Sequence, residues 1–214
     1  MPFQAPYHND AKRIGVTMEN IQSAIDVKGG GIFKQAELFF DDLFLKKLPP
    51  LPEQIRDLLV KLAPFWAILL IVFAALMIVF GSLSVLLGLL GTVLSIATLS
   101  GSSVISSVLG IVQTVVGLAL GAVILIYLAK SLRGLFDQKN VGWQALFRAE
   151  VVWLAHAMFT WLMGLLISVV SLSGFGTIMR IGSSIILLPI QLILFGLGFY
   201  LLFQIKDRYA RVNA

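Results

Sequence analysis

Between Lys61 and Lys130 the sequence carries no charged residue. A membrane-crossing helix needs about 20 apolar residues, so this stretch has room for two crossings and the turn between them. A soluble core has no use for an uninterrupted apolar block of that length. The composition agrees: 13% of the 214 residues are charged, against roughly 25% in a soluble domain.

The turn falls at Thr98-Leu-Ser-Gly-Ser-Ser103, a cluster of turn-forming residues. The first span is therefore expected at 64–90 and the second at 104–129. Residues 91–103 would form an apolar, Ser-rich connection at the interface, as a loop, an interfacial helix or a re-entrant segment. A polar loop is expected from Lys130 to Arg148, then a third span at 149–172. Ser173-Gly-Phe-Gly-Thr177 and Arg180 read as a short turn, and 183–205 as the fourth span before a tail at 206–214.

Charge placement supports four crossings. Lys and Arg concentrate on the cytoplasmic side of membrane proteins. With four spans, the N-terminal segment, the 130–148 loop and the tail share one side and hold every basic residue except Arg180. Three spans, or five, would put the basic middle loop on the far side. Both termini are thus expected in the cytoplasm, and the net charge of +5 reads as a topology signal rather than a nucleic-acid footprint. Trp66, Tyr127, Trp143 and Tyr209 fall near the same boundary, where amphipathic rings prefer to sit. Residues 1–31 lack the apolar core of a signal peptide, so the first span would serve as the insertion signal.

The segment before the first span has its own pattern. Residues 1–16 show no periodicity and are expected to be a mobile N-terminus. Thr17 could cap a short helix ending at Gly29-Gly-Gly31. Over 32–47, Ile32, Phe33, Ala36, Phe39, Phe40, Leu43 and Phe44 cover an arc of about 140° on a helical wheel. Leu48-Pro-Pro-Leu-Pro52 ends that helix, and Pro52 could open the next at its first position. Residues 17–63 thus form a cytoplasmic or interfacial amphipathic region, with Pro64 marking a kink or break. The face bearing Phe33, Phe39, Phe40 and Phe44 could lie on the inner leaflet. It could equally dock on the chain's own spans or on a partner. The acids Glu37, Asp41 and Asp42 balance Lys34, Lys46 and Lys47, which is unlike a helix built for an anionic leaflet.

Chemistry-bearing residues within the spans are few. His156 is a functional candidate because ionisable groups inside a span are costly. Glu150 is too distant to pair with it, about 9 Å along the helix and 120° around it, and it suits the first turn of the third span. Thr160 lies one turn beyond His156 on the same face, so a neutral histidine bonded to a neighbouring helix is the expected arrangement. Gln113 and Gln191 sit at matched depth and could form an interhelical hydrogen bond. Pro189 frees a backbone carbonyl that Gln191 could satisfy. Small residues repeat along the spans, notably Gly110, Gly117 and Gly121, with Gly164 in the third. Gly117-Leu-Ala-Leu-Gly121 is a GxxxG motif that permits close helix approach.

There are no cysteines and two histidines, which leaves no thiolate site or histidine cage for a metal. No nucleotide-binding, zinc-protease or nucleophile-elbow motif is present. No cofactor and no catalytic residue is expected.

Leu48-Pro-Pro-Leu-Pro-Glu-Gln-Ile55, Lys61-Leu-Ala-Pro64, the small-residue-rich first span and Lys139-Asn-Val-Gly-Trp143 together resemble small multi-span bacterial integral membrane proteins. The resemblance covers about residues 45–150. It implies a bacterial inner (plasma) membrane and carries over no activity and no functional residue.

The sequence therefore predicts an all-α membrane protein, a bundle of four transmembrane helices with cytoplasmic amphipathic helices before it. The expected role is a non-enzymatic scaffold or accessory subunit, with the lipid bilayer and a larger membrane complex or homo-oligomer as partners, and no nucleic acid. The alternative is a small transporter or channel lined by His156, Gln113 and Gln191. A lipid-modifying enzyme or lipid carrier at the inner leaflet is a third class.

Overall fold

The structure, a computed structural model, describes residues 31–97, 101–171 and 175–210. The possible helix after Thr17, the N-terminal segment expected to be mobile, and residues 98–100, 172–174 and 211–214 lie outside the described residues. Helix α1 spans Ile32–Asp41 and continues as a wider π-helical turn, Asp42–Lys46. Four long helices follow: α2 Glu53–Ala97, α3 Gly101–Phe136, α4 Asn140–Ser171 and α5 Phe175–Gln204. A short helix, α6, spans Lys206–Ala210. The described residues contain no strand.

Each long helix contains a stretch long and apolar enough to cross a membrane: Glu53–Leu94, Val104–Phe136, Asn140–Val170 and Ile185–Gln204. Their limits differ from expectation in one consistent way, because the helices outrun the apolar stretches. Of the connection expected at 91–103, residues 91–97 continue α2 and 101–103 begin α3. The loop expected at 130–148 shrinks to the turn 137–139, since Lys130 and Arg133 complete α3 and Asn140 already begins α4. Residues 175–180, expected in a turn, are helical as well.

Pro64 does not interrupt α2. Proline lacks the N–H that would bond the carbonyl four residues earlier, here that of Val60. The Tyr209 hydroxyl donates to that carbonyl instead, at 3.3 Å. A donor from the other end of the chain thus replaces the missing intrahelical bond. Pro52 stands just outside α2 rather than inside it, and its carbonyl accepts the first bonds, from Ile55 and Arg56.

α2, α3 and α4 pack in chain order over much of their length, whereas α5 touches α4 over a smaller area. The reversal from α3 to α4 is the tightest point. Lys139 N–H donates to the Gly134 carbonyl and Gln138 N–H to that of Leu135, the paired bonds that close a helix when one residue turns left-handed. Gln138 is that residue, at φ 53°. A side chain in this conformation costs roughly 1–2 kcal/mol, so Gln138→Gly is expected to raise the thermal unfolding midpoint in detergent. A fall would show that the glutamine side chain holds the turn. Beside the turn, Gly134 and Gly142 meet backbone to backbone, leaving no room for a Cβ on either.

Candidate functional site

The expected polar residues separate into two places. His156, Thr160 and Gln113 come together around a cavity of about 190 Å³ between α2, α3 and α4, walled by Ile78, Gly117 and Trp153. The Gln113 side-chain amide donates to the Thr160 carbonyl at 3.4 Å. Thr114 faces the same cavity, but its hydroxyl donates to its own helix at Gly110. Gln191 is elsewhere, in a groove with Trp66, Glu150 and Trp153. Gln113 therefore bonds the α4 backbone rather than Gln191, because α3 packs along α4 and has no comparable contact with α5.

Gly117 gives His156 its place. A Cβ at residue 117 would stand 3.2 Å from His156 Nε2, so the glycine admits the imidazole between α3 and α4. The hydrogen bond expected from His156 to a neighbouring helix does not form with any described residue, and the ring is held by packing against α3. Gly121 faces Ile78 of α2, which a Cβ would meet at 3.4 Å. The two glycines of the GxxxG motif thus serve different neighbours within the chain. Gly110 and Gly164, expected as packing residues, are different, since a Cβ at either would have nothing within 4 Å.

The phenylalanine face is largely occupied by the chain itself. Phe40 stacks on Phe199 at 4.3 Å and meets Phe147 edge-on, and Phe44 is 6% exposed. Phe33 packs against Tyr127, with the Arg148 guanidinium over its ring. Phe39 turns outward and is 63% exposed.

This docking is organised by groups that the sequence reading placed otherwise. Lys206 pairs with Glu37 at 2.9 Å and Asp41 at 2.5 Å, and its ammonium lies over the rings of Trp143 and Phe203. Trp143 and Tyr209, expected at the lipid boundary, are both 0% exposed. Trp143 is buried because its indole N–H donates to the Leu202 carbonyl at 2.8 Å. Arg56 donates to the Gln204 carbonyl at 2.6 Å and pairs with Asp207. Leu202 and Gln204 are in the last turn of α5, where carbonyls have no intrahelical partner. Tertiary donors thus cap α5, and an indole with this task cannot also sit in the headgroups.

Burial governs the titration of Tyr209. The Tyr209 hydroxyl is pushed up to about 12 by burial. A folded value raised above the unfolded one contributes stability below pH 10, which is lost as pH rises toward 12. In an ultraviolet titration one tyrosine is expected to ionise near pH 12, and Tyr209→Phe should remove that component. The same substitution strips Val60 of its donor and should cost about 1–3 kcal/mol. If the high component survives it, the assignment fails.

Glu150 is also displaced from its expected role. α4 begins at Asn140, so residue 150 is nearly three turns inside the helix rather than in its first turn. It lines apolar grooves between α2 and α5. Among the described residues no group of three or more His, Asp or Glu is placed to hold a metal ion.

No family model, curated protein or solved structure matches the chain. The fold defines the class: an all-helical protein with four helices long and apolar enough to cross a membrane.

Proposed function

We propose that this protein is an integral membrane scaffold or accessory subunit without catalysis of its own. In this reading the four long helices form a transmembrane bundle in a bacterial inner membrane, with α1, the 137–139 turn and both termini in the cytoplasm. The carrying observation is the incomplete packing of α5. Among its described side chains Phe199, Leu202, Phe203 and Gln204 are buried, while Ile185, Ile186, Ile190, Ile193 and Leu194 stand exposed. A helix fixed at one end, with an apolar remainder, offers a long face to another membrane helix. Gly110 and Gly164 add two points where a neighbouring backbone could come close.

The test is the mass of the particle extracted in mild detergent. A stoichiometric complex heavier than the 23.4 kDa chain is expected, and Gly164→Leu should dissociate it while leaving the chain folded. A monodisperse monomer at native abundance would refute the proposal.

A second reading, a small transporter, draws support from the cavity around His156, Gln113 and Thr160. Gln191 has no part in that cavity. Flux in vesicles containing this protein alone, reduced by His156→Ala, would favour transport over the accessory role.

A further inference from the structure

Glu150 presents its carboxylate to a groove that no basic residue enters. Two adjoining cavities, of about 240 and 270 Å³, share Trp66, Glu150 and Gly198 as walls. Leucines of α2 and α5 continue the lining on both sides, as Leu62 and Leu201 in one cavity and Leu70 and Leu194 in the other. Among the described residues no hydrogen bond or ion pair reaches the carboxylate. Its near neighbour in sequence, Arg148, lies over the Phe33 ring instead.

Apart from Gln191 the walls are apolar, and there an ionised carboxylate is expensive unless a cation meets it; without one it takes up a proton. The remaining walls suit a particular cation. Trp66, Trp153 and Phe195 line the same space, and aromatic faces attract ammonium groups, indole most strongly. We propose that this groove binds an organic cation from the bilayer, with its ammonium group beside Glu150 and its apolar body along Leu70, Leu194 and Phe195. A zwitterionic phospholipid fits less well. Its phosphate would follow the ammonium into a space with no Lys or Arg to receive it. The binding site is independent of the accessory role.

Equilibrium dialysis of the full chain in dodecyl maltoside, with benzyltributylammonium as probe, tests this. Wild type should bind saturably at one site, with Glu150→Gln at least tenfold weaker and Trp66→Leu several-fold weaker. Trp66 is half exposed, so its variant carries the test should Glu150→Gln fail to fold. Equal binding by wild type and variants, or no saturable binding, overturns the proposal. Dodecylamine should displace the probe and phosphatidylethanolamine should not. Displacement by the phospholipid as strong as that by the amine assigns the groove to lipid headgroups and overturns the organic-cation occupant.

Discussion

Replacing Lys206 by methionine is expected to release α1 from the long helices. Methionine keeps much of the apolar stem, so the change isolates the charge. The ammonium holds Glu37 and Asp41 together, and the three side chains are only 20%, 16% and 27% exposed. Removing one partner of a buried charge group costs about 3–5 kcal/mol, because the remaining charges lose their compensation; partial exposure argues for the lower end. Two carboxylates would then face each other beside Phe40, with one Asp41 oxygen already lacking a partner. Trypsin should then cleave at Lys46 and Lys47 faster than in wild type, and the unfolding midpoint should fall. Adding Glu37→Gln and Asp41→Asn should recover much of the loss. An unchanged cleavage rate would mean that the phenylalanines alone hold α1. Burial by itself would lower the Lys206 value, but its hydrogen bonds and ion pairs with Asp41 and Glu37 raise it overall. The clasp is therefore complete below the ordinary lysine range and is lost as pH climbs through the raised value.

The second large effect is expected at the α3–α4 turn. A methyl group at residue 142 would overlap the backbone of Gly134 and Leu135, and one at 134 the backbone of Gly142. Backbone cannot rotate aside as a flexible side chain can, so Gly142→Ala should cost roughly 3 kcal/mol or more. The damage would spread, since Trp143 is the next residue and supports the end of α5 through Leu202. Gly81→Ala is the control. Its Cβ would meet Leu118 Cδ2 at 2.9 Å, the movable end of a side chain. Thermal unfolding in detergent should show a large loss for residue 142 and a small one for residue 81. Equal losses would mean that the turn tolerates opening.

The two cases show which features the sequence makes legible. Four apolar stretches are plain because lipid-facing helices must be apolar almost throughout. Their ends are not, because Lys130 and Arg133 can extend a helix beyond its apolar stretch as readily as they can begin a loop. The place of Glu150 is hidden for the same reason, because the apolar stretch from 149 starts nine residues after the helix itself. The rings of Trp143 and Tyr209 suit either a lipid boundary or a buried donor site, and only the facing carbonyls decide. Those carbonyls belong to Leu202 and Val60, which no local pattern links to them. The cavity around His156 was half visible: one-turn spacing grouped it with Thr160, but only packing supplied Gln113 and Gly117.

The clasp between α1 and the end of α5 also dictates an order of assembly. Lys206 follows Asp41 by 165 residues. At roughly 5–20 residues per second, synthesis leaves about 8–33 s between them. For nearly all of that interval the phenylalanines of α1 have been made but Phe199, Phe203 and Lys206 have not. α1 can close only after the last of the four long helices has been made, so its docking reports that α5 is in place. A ribosome stalled before residue 206 would leave α1 accessible to a chaperone, the bilayer or a protease.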